Sequence, residues 1–132
     1  MEVRNFIGGK FVDSMSKTNI PVINPANQNI VGNIDEALDE EIDLAFSAAK
    51  KSFNQRVLQD MDASLKSKIM RSIASKLREY KKRGAAILSQ ENGKTIEQCE
   101  GEFDGAANVF DYYVGLTDKI ENKLIPSGKD TF

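Results

Sequence analysis

The sequence predicts a mixed chain, α/β or α+β, with small strands first and helices after them. Three observations carry that prediction. Short apolar runs broken by glycine and proline fill residues 5–35. Apolar residues then recur at three- and four-residue spacing over residues 39–117. Residues 119–125, KIENKLI, read as a final strand. The 132 residues suit one domain, or a piece of a larger one.

The strands come first. In NFIGGKFV, residues 5–12, two apolar runs flank Gly8-Gly9, which can take the positive φ of a two-residue hairpin turn. NIPVINP sets Ile20, Val22 and Ile23 between Pro21 and Pro25, the pattern of an edge strand ending in a turn. QNIVGNI, residues 28–34, reads as one more short strand. All are expected to pair antiparallel.

About four helices follow. In the first, Ile42, Ala45, Phe46, Ala49 and Phe53 form one apolar face, Asp39 is the expected N-cap, and Glu40 and Glu41 suit the first turn. The second is expected over 62–83, capped by Asp62, striped by Leu65, Ile69, Ile73, Leu77 and Tyr80, and stopped by Gly84. Lys81, Lys82 and Arg83 would then crowd its last turn, where the helix dipole favours cations. A short third helix is expected over 85–91. The fourth starts near Thr95 and carries Ile96, Cys99, Phe103, Ala106, Phe110 and Tyr113. The stripes are good but the strands few, as expected of one layer of something larger.

Composition narrows the chemistry. A formal net charge of −2 gives no general attraction to nucleic acid or acidic membranes. No apolar run is long enough to span a bilayer, and MEVRNFIGGK lacks the apolar core of a signal peptide. The single cysteine, Cys99, has no partner for an internal disulfide, which suits a cytoplasmic setting. Histidine is absent, so the chain holds neither a Ser-His-Asp nor a Cys-His catalytic set, and no structural zinc site. Any chemistry would rest on carboxylates, lysines or tyrosines.

Four stretches invite a functional reading. ENGKT, residues 91–95, ends like a phosphate-binding loop, but that loop needs a glycine at position 88, which is Leu88, and a buried strand before it. A turn between helices is the better reading, with Thr95 as the next N-cap. Cys99 lies between Glu97 and Glu100, acids that oppose a thiolate, and on an apolar stripe, as a structural cysteine does. The acid run Asp35, Glu36, Asp39, Glu40, Glu41, Asp43 lacks the glycine of a calcium loop and reads as a solvated helix start. The basic run Lys76, Arg78, Lys81, Lys82, Arg83 reads as a solvated helix end.

Five strings, in order, resemble the start of the NAD(P)-dependent aldehyde dehydrogenases. They are FIGGKFVDS, VINPANQNIVGNI, DEEIDLAFSAAKKSF, LKSKIMRSIASKLREYKKRGAAILSQENGKTIEQCEGEF and DGAANVFDYYVGLTDKI. The resemblance spans essentially the whole chain. It implies an α/β architecture in which residues 1–132 are the N-terminal portion of the dinucleotide-binding domain. It implies thiolate attack on an aldehyde, hydride transfer to NAD or NADP and hydrolysis to a carboxylic acid. It implies a structural role for the ENGKT turn. The family's Gly-Gln-x-Cys nucleophile and Glu-Leu-Gly-Gly base motifs have no match here, since Cys99 sits in EQC. No catalytic or dinucleotide-binding residue is therefore assigned. Some members hold a structural monovalent cation; the positions that match its ligands are the carbonyl of Ile23 and the carboxylate of Asp104. The implied partners are the rest of the dehydrogenase chain, an aldehyde, and further copies in a homodimer or homotetramer. A stand-alone interaction module, adding strand 119–125 to a sheet edge, is the competing expectation.

Overall fold

A computed structural model describes residues 2–119 and 121 of the chain. Two small sheets open it. Strands β1 (Glu2–Val3), β2 (Asn5–Ile7), β3 (Lys10–Val12), β4 (Asn19–Ile23) and β5 (Ile30–Asp35) precede all the helices. β2 and β3 form the expected hairpin, with Phe6 opposite Phe11. Gly8 and Gly9 turn it at φ of 60° and 84°, a pair of values that side-chain-bearing residues rarely adopt together. The two rings meet edge to face at 5.0 Å.

The other sheet has the order β1-β5-β4. β4 is an edge strand, as Pro21 requires, and pairs antiparallel with β5. The Asn-Pro turn between them is tied by Asn24, whose N–H donates to the Asn29 carbonyl at 2.9 Å and whose side-chain oxygen accepts from the Ala26 N–H at 2.9 Å. β1 corrects the sequence expectation twice. It begins before residue 5, and it pairs parallel with β5. Two residues carry no periodicity, and a parallel pair joins distant segments with no turn signal to announce it.

Among the described residues three helices follow rather than four: α1 (Asp39–Asn54), α2 (Ala63–Asn92) and α3 (Ile96–Val114). The expected break at Gly84 is absent, and residues 85–91 continue α2, which runs about 45 Å at 1.5 Å per residue. A Cβ at Gly84 would lie 2.1 Å from Cζ of Phe103. The glycine is there to let α3 approach, and its intrinsic cost to a helix of about 1 kcal/mol does not end this one. Lys81, Lys82 and Arg83 are therefore mid-helix, away from the dipole terminus expected for them. Lys81 reaches Asp104 on α3 at 3.1 Å, and Arg78 reaches Asp111 at 2.8 Å.

α2 and α3 form a long antiparallel helical hairpin. Its buried residues are small: Ala74, Ala85, Cys99, Ala107 and Val114. Small side chains at the seam bring the helix axes close and push the larger apolar groups outward. Ile69, Ile73, Tyr80, Val109, Tyr112 and Tyr113 are all exposed. α1 departs further from expectation. Its N-cap is Leu38, one residue before the expected Asp39 cap, and it lies against β2. Phe46 is 72 % exposed and Phe53 69 %. The large residues of the predicted stripe, Ile42, Phe46 and Phe53, stay exposed among the described residues, while Ala45 and Ala49 line a groove against the hairpin. No described helix is long and apolar enough to cross a membrane. The expected final strand, 119–125, falls almost wholly outside the described residues.

Candidate functional site

The ENGKT turn is built as a joint between helices. α2 ends on Gly93 in the left-handed region at φ 77°, with its N–H donating to the Ser89 carbonyl at 2.9 Å. The Asn92 side-chain oxygen accepts from the Lys94 N–H at 2.9 Å, and the Ser89 hydroxyl donates to the Lys94 carbonyl at 2.7 Å. Thr95 then caps α3. Its hydroxyl oxygen accepts from the Gln98 N–H, and the Gln98 side chain accepts from the Thr95 N–H, both at 3.3 Å. A phosphate would need these N–H groups and the lysine free. Instead the Lys94 ammonium pairs with Glu102, whose hydrogen bond and charge raise the lysine's pKa. Pro25 packs onto Gly93, where a Cβ would stand 2.8 Å from the proline Cγ. The Asn-Pro turn and the Gly-Lys-Thr turn are one structural joint.

The other sequence candidates lie on separate elements. Cys99 is fully buried at the α2–α3 seam, as expected of a structural thiol. Ile23 ends β4 in the sheet, whereas Asp104 lies on α3 and already accepts from the Lys81 ammonium. β4 and α3 share no extended contact. Among the described residues no three of His, Cys, Asp and Glu gather as metal ligands. A groove of about 690 Å³ runs along the open ends of α2 and α3, lined by Leu58, Met61, Ile69, Phe110, Tyr113 and Leu116. It is an apolar trough. The Thr117 hydroxyl on its lining is engaged with Ser67 at 2.6 Å.

One polar feature escaped the sequence. Glu41, expected in a solvated helix start, is 2 % exposed. Its carboxylate accepts from the Leu38 N–H at 3.0 Å, the Ser14 hydroxyl at 3.1 Å and the Asn5 amide at 3.5 Å. The Leu38 hydrogen bond comes first among the causes that hold its carboxyl below the usual glutamate range, and burial opposes it. The available signal was spacing. A glutamate three residues after the N-cap reaches back to the cap N–H, here with a leucine that has no side-chain acceptor to return the bond.

Together these features define a class: an α/β section whose helices and strands are joined by structural turns. Residues 11–132 match the model of the aldehyde dehydrogenase family, and the chain belongs to that family. It is 34% identical over 121 residues to aminoaldehyde dehydrogenase 1, peroxisomal, of Pisum sativum, covering 89% of this chain and 24% of that protein. It is 31% identical over 122 residues to a betaine aldehyde dehydrogenase of Bacillus subtilis, covering 92% and 25%. Among solved structures, betaine aldehyde dehydrogenase of Staphylococcus aureus in complex with NAD+ aligns with a TM-score of 0.85 and 32% identity, over 94% of this chain and 25% of that one. The NAD-dependent aldehyde dehydrogenase of Sinorhizobium meliloti aligns with a TM-score of 0.86 at 27% identity, over 93% and 25%. The chain thus spans about a quarter of the length of the relatives it matches.

Proposed function

We propose that residues 1–132 are the N-terminal portion of the dinucleotide-binding domain of an aldehyde dehydrogenase. In this reading the whole protein oxidises an aldehyde to a carboxylic acid with NAD or NADP, and this section is scaffold. The observation that carries it is the alignment in order, over 94% of the chain, with one quarter of a structure in complex with NAD+. The covering partner for the exposed helix faces is then the remainder of the dehydrogenase chain, in a cytoplasmic homodimer or homotetramer. The stand-alone module is not favoured, since the relatives matched are aldehyde dehydrogenases.

Two measurements test the reading. The pure 132-residue chain should reduce no NAD+ or NADP+ in the presence of aldehydes; turnover by this chain alone would refute its role as scaffold. The coding sequence should continue past codon 132 into Glu-Leu-Gly-Gly and Gly-Gln-x-Cys segments; a stop codon there would remove the enzyme reading for this product.

A structural monovalent cation between the Ile23 carbonyl and the Asp104 carboxylate is a second proposal. One carboxylate already holding the Lys81 ammonium at 3.1 Å fits such an ion only if the lysine gives way. Melting temperature compared in sodium, potassium and tetramethylammonium chloride is the check. A rise specific to the small cation and lost in Asp104→Asn supports the ion, and equal melting in all three salts excludes it.

A further inference from the structure

Glu41 is the only buried charged side chain among the described residues. No described lysine or arginine pairs with it. Its hydrogen-bond donors are neutral and come from three segments: Asn5 on β2, the Ser14 hydroxyl and Met15 N–H beyond β3, and Leu38 at the start of α1. The Ser14 hydroxyl has one proton, and it also faces the Glu36 carbonyl, so it is shared between two acceptors. The β2–β3 hairpin and α1 form the two walls of a groove of about 620 Å³. Phe6, Gly8 and Gly9 line one side, and Ala45, Ala48 and Ser52 the other. Among the described residues α1 has no other extended contact with a helix or strand. The side-chain tie between β2 and α1 is the Glu41 carboxylate, while Ser14 and Ser16 also bond Glu36 just before the helix.

We propose that the Glu41 carboxylate is a charge-gated clasp that holds the N-terminal hairpin against α1. Ionised, it offers acceptors to donors from both walls. Protonated, it loses acceptor strength and brings a proton of its own to a place where donors converge, so the walls part. The charged groups on the packed elements do not take over its role. Arg4 is held by Asp13 at 3.0 Å, and Glu36, Asp39 and Glu40 are acids. Lys10 and Lys51, on the hairpin and on α1, make no ion pair with Glu41. The hydrogen bonds that define the clasp also hold its carboxyl below the ordinary glutamate range. A group depressed in the folded state contributes its stability above the unfolded value and loses it as pH falls through the folded one. The clasp is thus closed at neutral pH and opens in acid.

Amide NMR of the full 132-residue chain through an acid titration tests this. The Leu38 and Met15 N–H resonances should move together with one midpoint below that of a free glutamate. Proton–proton contacts between Phe6–Gly9 and Ala45 or Ala48 should fade through the same midpoint, while those between Gly84 and Phe103 persist. Glu41→Gln should weaken the hairpin–α1 contacts at every pH and abolish the titration. Ser14→Ala keeps the charge but removes one donor, and should shift the midpoint upward; it serves also if the glutamine variant does not fold. Contacts that survive below the midpoint, an unchanged titration in Glu41→Gln, or an unmoved midpoint in Ser14→Ala would each overturn the clasp.

Discussion

Gly84 shows how one residue type carries opposite messages. After a lysine- and arginine-rich stretch it reads as a helix stop, yet it is a notch for the Phe103 ring. No local pattern separates the two, because the decisive neighbour lies on another helix. Gly84→Ala should gain up to about 1 kcal/mol of helix propensity but lose more to overpacking, at about 1–3 kcal/mol. We expect net destabilisation in urea unfolding, relieved when Phe103→Leu is added. Glu41 failed to be read for a related reason: sequence places it among five other acids, and burial is decided by the hairpin that folds over it. The thiol was easier. Cys99 lay on an apolar stripe, and the fold buries it there.

At the level of elements, caps were more legible than breaks. Asp62 and Thr95 both start helices where the sequence places them. Thr95→Ala should cost about 0.5–2 kcal/mol by removing the hydroxyl from the cap. The Asp62 carboxylate accepts from the Ser64 N–H at 2.7 Å, and bonds to the Ser64 hydroxyl and N–H hold its pKa below the ordinary aspartate value. A depressed pKa means that this contribution is complete above the unfolded value and lost as pH falls through the folded one. Helix content at the start of α2 should fall in acid. Asp62→Asn, still a good cap, should flatten that dependence, as followed by Leu65 and Lys66 amide exchange. The parallel β1 was illegible because its partner, β5, lies some thirty residues downstream and no single turn joins the two strands.

At the level of the whole molecule, the helix periods were right but their destinations were not. Periodicity shows that a face is apolar; it does not say which chain covers it. Phe46 and Phe53 mark a face ready for burial that the described residues leave open. Replacing both with serine should alter stability by no more than about 1 kcal/mol in total, as surface changes do, while lowering hydrophobic-dye binding by the 132-residue chain. Unchanged dye binding would place the adhesive surface elsewhere, along the α2–α3 groove. The Pro25–Gly93 joint has a kinetic consequence. α2 and α3 are linked by a three-residue turn and can zip together from local contacts. The sheet must close a far longer loop to bring Pro25 onto that turn, and the entropy of loop closure slows such contacts. We therefore expect the helical hairpin to fold early and the N-terminal sheet, although made before it on the ribosome, to dock onto it afterwards.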